Sequence, residues 1–263
     1  MKLTTTITAW IYEYAQENKI NSLVVGVSGG IDSAVVSTLC AKTGLPTILV
    51  NMPILQRVGQ IDRAMNHINW LADNHDNVSS MVINLDKTYD LYTKFDLSEV
   101  MMSDLVKANT RARLRMTTLY AVAGSNNGIV VGTGNKVEDF GVGFFTKYGD
   151  GGVDISPIAD FLKSEVYEMA KELGISQEIQ DAPPTDGLWG DDRTDEDQLG
   201  ATYDELEWAM GWFAEFEKPE SDVRNWKLTE RQNEVLEIYD KLHKSNLHKM
   251  TPIPIFQNCG KFK

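Results

Sequence analysis

The sequence predicts an α/β fold built on an open, doubly wound parallel sheet with flanking helices. Two observations carry this expectation. Short apolar runs at 23–27, 47–52, 81–85 and 128–132 alternate with stretches of helical periodicity. These runs are almost unbroken by polar residues, as strands covered on both faces should be. The 263 residues show no internal repeat and no linker, so one domain over 1–263 is expected.

Each element has its own signal. Ile7, Trp10, Ile11 and Tyr14 recur at helical spacing and predict an inward-facing helix over 3–18. The run LVVGV (23–27) reads as a strand, followed by a Gly-rich turn and a helix over 33–41 that Gly44 caps. A second strand at 47–52 leads to a helix over 61–74, with Ile61, Ala64, Met65, Ile68 and Leu71 inward. A third strand, MVINL (81–85), precedes a long helical stretch over 98–124, and a fourth strand, GIVVG, covers 128–132. Helices follow at 163–173, 202–217 and 229–244, with a Pro-, Gly- and Asp-rich loop or lid at 180–198.

Composition excludes several classes. A formal net charge of −13 argues against nucleic acid as a partner. No apolar run is long enough for a membrane span, and no signal-peptide pattern opens the chain, so a cytoplasmic protein is expected. Cys40 and Cys259 form neither a disulfide framework nor a zinc motif, and Cys40 reads as core packing.

Ligands of open α/β sheets bind beyond the carboxyl ends of the strands. The segments 28–32, 51–53, 84–87 and 133–138 should gather there. The first holds the strongest motif, SGGIDS (28–33). Its glycines permit close backbone approach, and the helix that follows offers free N–H groups to an anion. The lysine of a Walker A loop is absent. Asp32 would repel a bare phosphate, so Mg²⁺ between Asp32 and phosphate is the consistent reading. Glu138, just past another strand end, supplies a second carboxylate for such an ion. Lys147, Lys163 and His248, taken singly, read as ordinary surface residues. The acidic run 191–197 reads as a solvated loop.

SGGIDS resembles the pyrophosphate-binding loop of the ATP-pyrophosphatase group, whose fold is Rossmann-like. Within it, VVGTGNKVEDFGVGFFTKYGDGGVDISPIADFLKSEVYEMAKELG (130–174) is similar to the signature of the ammonia-dependent NAD synthetases. ANTRARLRM (108–116), APPTDGLW, LGATYDELE and HKMTPIPIF resemble further segments of that family, in order. Two departures are visible: the 138–144 spacer is one residue longer than is common, and 51–60 lacks the usual small-residue pattern.

The resemblance implies that ATP and ammonia amidate deamido-NAD to NAD through an adenylate, releasing AMP and pyrophosphate. It implies ATP binding by Ser28, Gly29, Gly30, Ile31, Asp32, Ser33, Ala34 and Val35, with Thr133, Lys163 and Thr185. Deamido-NAD would meet Arg113, Lys147, Asp154, His248 and Lys249. Asp32 and Glu138 would ligate Mg²⁺, Lys163 would assist catalysis, and Asp150 or Asp154 would take the proton of ammonium. A homodimer with substrate bound across the subunits is implied as well. No glutaminase segment with a catalytic cysteine is visible, which points to free ammonia or a separate donor. A tRNA-thiolation enzyme would carry a basic face, the FFTKYGDGG segment disfavours a GMP synthetase, and the joint presence of Asp32, Glu138 and Lys163 argues against a non-catalytic nucleotide-binding module.

Overall fold

The computed structural model describes residues 2–185, 194–216, 218, 223 and 226–256. Four strands form one parallel sheet in the order β3-β2-β1-β4. They are β1 (Ser22–Gly26), β2 (Thr47–Asn51), β3 (Val78–Val82) and β4 (Gly128–Val130). Alternate residues of β1 serve two cores, as the two-residue period of a strand requires. Leu23 and Val25 turn toward α1 (Leu3–Glu17), α2 (Ile31–Lys42), α3 (Val58–Asn74) and α6 (Lys163–Leu173). Val24 turns the other way, with Ile48, Val50 and Val130, toward α4 (Asp86–Leu91) and α5 (Asp104–Ser125).

This topology positions the site. The chain runs outward from β1 through β2 to β3, then returns across the second face through α4 and α5 to pair β4 with β1. Loops leaving β1 and β4 therefore diverge over opposite faces and open a crevice between them. A third core joins α9 (Tyr203–Phe216) and α10 (Glu230–Met250) to a π-helical segment, Val137–Val142. Its centre is Val137, Val142, Leu206, Val235 and Tyr239. Short helices α7 (Gln177–Gln180) and α8 (Asp195–Leu199) flank the remaining connection. Among the described residues, no helix is long and apolar enough to cross a membrane.

Several expectations need correction. Trp10 lies on the outer surface against Tyr14 while Ile7 and Ile11 are buried, because the apolar stripe of α1 is narrower than read. β3 begins three residues before the expected 81: it is an edge strand, and its polar exposed residues hid it. Ile83 and Leu85 instead leave the sheet to pack in the second-face core. The stretch 98–124 is not continuous helix. A π-helical turn, Tyr92–Asp96, precedes it, and α5 starts only where the Ser103 hydroxyl accepts from Val106 N at 3.3 Å. β4 is shorter than read, since Val131 bridges to Ile155. α10 runs on to Met250 because its last turns are anchored against the chain that follows Glu138. Cys40 is fully buried as expected, whereas Cys259 and residues 186–193 of the expected lid lie outside the described residues. The acidic run is not uniformly solvated: Asp195 is buried and starts α8, and the Asp197 carboxylate accepts from the hydroxyl of Thr194, the residue that caps that helix, at 2.8 Å.

Candidate active site

A cavity of about 270 Å³ sits at the crevice between β1 and β4. Three of the four expected segments line it: 28–33, Asn51 with Met52, and Thr133, Gly134 and Glu138. The fourth, 84–87, does not. It opens α4, and Asp86 accepts from the Leu55 amide at 2.5 Å.

The Gly-rich turn is built by its own hydroxyls. Ser28 N donates to Ser33 Oγ at 3.2 Å, Ser33 Oγ donates to Gly30 O at 2.9 Å, and Gly30 N donates to Ser28 Oγ at 3.2 Å. Gly29 has φ +88°, a left-handed conformation that favours glycine. Gly30 caps α2, so the first turn of that helix opens toward the cavity with Asp32 in it. Ile31 lines the cavity, while Ala34 and Val35 are fully buried in the core and the Ala34 amide already donates to Gly30 O.

Asp32, Glu138 and Lys163 converge. Lys163 is the first residue of α6 and only 3% exposed, yet its Nζ reaches Asp32 Oδ2 at 2.5 Å and Glu138 Oε1 at 3.0 Å. Asn135, wholly buried, links the Asp32 carboxylate to the backbone of Glu138: its Nδ2 donates to Asp32 Oδ1 at 3.4 Å and its Oδ1 accepts from Glu138 N at 3.2 Å. Tyr203 donates its hydroxyl to Glu138 Oε1 at 2.6 Å, and its ring lies 4.8 Å from Lys163 Nζ.

The titration of these groups follows. Burial disfavours the ammonium of Lys163, but the two carboxylates overcome it and hold its pKa above the ordinary lysine value. Burial also works to raise Glu138, and Lys163, Tyr203 and Asn135 together hold it low. Burial lifts Asp32 against the opposing pull of Lys163. Asp139, beside Glu138 and against Gly134, is pushed up to about 8 by burial and by Glu138, Asp150 and Asp32.

The remaining expected residues divide. Thr133, Thr185 and Asp150 line the cavity, and Asp150 accepts from Thr146 N at 3.0 Å. Both oxygens of Asp154 are engaged, by Val130 N at 2.8 Å and the Tyr120 hydroxyl at 3.1 Å, and Asp154 does not line the cavity. Arg113 is exposed on α5 and donates to Lys147 O at 3.3 Å. Lys147 Nζ donates to His248 O at 2.6 Å, and Lys249 Nζ donates to Gly143 O and Phe145 O at 2.6 and 2.8 Å. The His248 ring contacts Ser245 O at 3.1 Å. These last residues surround the 141–147 segment rather than the cavity.

Sequence reasoning missed Asn135, Asp139, Tyr203, Arg63 and Arg115. Asn135 and Tyr203 stood inside quoted motifs, so their polar character at those positions was available. Arg115 lines the cavity and donates from Nε to Met52 O at 3.0 Å; its two-residue offset from Arg113 on α5 turns it to another face. Nothing local distinguished Arg63.

The sequence model of the NAD synthase family matches residues 3–252. An NH(3)-dependent NAD(+) synthetase of Alkaliphilus metalliredigens is 39% identical over 260 residues, covering 94% of this chain and 96% of that protein. Among solved structures, an NMN synthetase from Francisella tularensis superposes with a TM-score of 0.82 at 31% identity, covering 97% of each chain. An NH3-dependent NAD synthetase from Campylobacter jejuni shares the fold, with a TM-score of 0.76 at 23% identity over 97% of each chain. The match over nearly the whole length, on a chain whose Gly-rich turn and paired carboxylates meet at the switch point of the sheet, makes this protein a member of the NAD synthase family.

Proposed function

We propose that the protein amidates deamido-NAD to NAD with ATP and ammonia, as a single-domain enzyme of the cytoplasm acting as a homodimer. The observation that carries this reading is the convergence of Asp32 and Glu138 on one cation position beside the Gly-rich turn. Among the described residues no group of three or more His, Cys, Asp or Glu forms a metal cage. Two carboxylates suit Mg²⁺, which characteristically takes few protein ligands and completes its shell with phosphate and water oxygens. The fit is good: hard oxygen donors already share one positive charge. Mg²⁺, held by Asp32 and Glu138, would supply charge to neutralise the phosphates.

The residues of the chain account for the rest. The turn at 28–33 and the start of α2 receive the phosphates of ATP. Asn51 Oδ1, buried at the end of β2 and lacking a donor, suits an N–H such as the adenine amino group. The nicotinate carboxylate oxygen bonds to the α-phosphorus as the bridge to the β-phosphorus breaks. Lys163 and the loop amides stabilise the departing pyrophosphate. Ammonia then bonds to the activated carbonyl carbon and AMP leaves. Ammonium must first lose a proton, and Asp150 is the better acceptor because both oxygens of Asp154 are engaged.

A second reading is favoured by one observation: the solved structure that superposes at a TM-score of 0.82 is an NMN synthetase. The acid mononucleotide would then replace the dinucleotide as acceptor of nitrogen. The experiment supplies ATP, Mg²⁺ and ammonium with either deamido-NAD or nicotinic acid mononucleotide, and compares kcat/KM. Preference for deamido-NAD supports the first reading; at least tenfold preference for the mononucleotide transfers the assignment to the second. Glutamine freed of ammonia, in place of ammonium, should give no amide.

A further inference from the structure

Among the described residues, the cations around the site are committed to acceptors, with one exception. Lys163 is bound by Asp32 and Glu138, Arg115 donates to Met52 O, and Lys249 donates to two carbonyls. Arg63 has no such acceptor among the described residues. Its Nε is buried without a hydrogen-bond partner, and it makes no ion pair among the described residues. A buried guanidinium N–H lacking an acceptor is costly, and the cost disappears when a ligand supplies one.

The position of Arg63 identifies that ligand. α3 packs directly on the Gly-rich turn: a Cβ on Gly29 would lie 2.7 Å from Gln60 O, 3.0 Å from Ala64 N and 3.4 Å from Arg63 Cβ. The helix therefore touches the turn at the step from which Arg63 projects. Arg63 lines the same cavity as Ser28, Gly30 and Asp32. The turn has no Walker lysine, and the carboxyl groups of Asp32, Glu138, Asp139 and Asp150 line the same cavity. One Mg²⁺ offsets only part of the charge of a tetra-anionic triphosphate, and Lys163 is shared with two carboxylates, so a further cation with free N–H donors adds to its binding. A guanidinium, permanently charged and planar, can engage two phosphate oxygens at once.

From this we propose that Arg63 binds the β- and γ-phosphates of ATP and retains them as pyrophosphate after cleavage. The assignment rests on the reaction argued above, in which ATP gives AMP and pyrophosphate.

Calorimetry on the full chain tests it, with Mg²⁺-pyrophosphate and AMP as separate probes of wild type, Arg63→Gln and Arg63→Lys. Arg63→Gln should weaken pyrophosphate binding by on the order of tenfold to a hundredfold, as loss of a hydrogen bond to a charged group does. AMP binding should be unchanged, and Arg63→Lys should recover part of the loss. The KM for ATP should rise in Arg63→Gln, with that for ammonium unaltered. Unchanged pyrophosphate affinity in Arg63→Gln overturns the proposal. So does an equal weakening of AMP, which would set the guanidinium against the nucleoside. Should Arg63→Gln fail to fold, Arg63→Lys carries the test: wild-type pyrophosphate affinity with weakened AMP overturns it, and weakened pyrophosphate with intact AMP supports it. Failure of the wild type to release pyrophosphate from ATP overturns the parent reaction, and is read from its products alone.

Discussion

Lys163 remains charged while only 3% exposed because two carboxylates share its ammonium. Removing that cation leaves Asp32 and Glu138 facing each other in a site they cannot both occupy as anions. Lys163→Met should therefore cost about 3 to 5 kcal/mol in chemical denaturation, the usual result of breaking a buried pair. It should also reduce turnover by about 10² or more. A variant as stable and active as wild type would remove Lys163 from both roles. His67 gives a pH prediction. Its Nε2 lies 2.9 Å from Ser37 Oγ, and burial lowers its pKa to about 4 from the ordinary 6.5. The unfolded chain therefore binds more protons between those values, so this contribution is intact above pH 6.5 and lost as pH falls toward 4. The loss is on the order of 3 kcal/mol. His67→Leu should flatten stability against pH in that window, measured by urea midpoints; a slope equal to wild type contradicts this. Legibility differed among such residues. Asp32 and Glu138 were readable because motif and strand end coincide. Arg63 was not, since one arginine among the polar residues of a helix carries no signal until the fold sets α3 against Gly29.

Elements were legible wherever local patterning agreed with burial. α6 was found at its bounds because an apolar face, Val166, Met169 and Ala170, ends at Gly174 in a left-handed conformation. β3 and the end of α10 were not, for opposite reasons. β3 is held by β2 on one side and shows polar residues on the other. The last turns of α10 persist because Asn246 and Lys249 bind carbonyls of Val142, Gly143 and Phe145, far away in sequence. Contact between α3 and the Gly-rich turn yields a prediction at this scale. Gly29→Ala meets the Gln60 carbonyl at 2.7 Å and holds alanine at φ +88°. It should lower stability by about 1 to 3 kcal/mol and weaken ATP more than deamido-NAD. Unchanged stability with unchanged ATP affinity would show that the turn tolerates displacement from α3.

The whole molecule shows apolar surface consistent with pairing of two copies. Phe95 is 70% exposed, Met101 99% and Leu105 59%, near the start of α5. Leu114 and Leu119 of the same helix pack inward instead, so the apolar residues of this stretch divide between core and surface. Sedimentation should give twice the chain mass, and a strictly monomeric mass would refute the dimer. Mixing inactive Arg113→Ala with inactive Asp32→Asn under subunit exchange should restore activity if one site draws on both chains. Proven exchange without recovery refutes the shared site alone. The reaction itself is tested most directly by following phosphorus. Purified protein is given ATP, Mg²⁺, ammonium and deamido-NAD, and its products are identified by ³¹P NMR alongside an assay for NAD. The account predicts AMP, pyrophosphate and NAD in equal amounts. Formation of ADP and orthophosphate, or cleavage of ATP without amide, would contradict it.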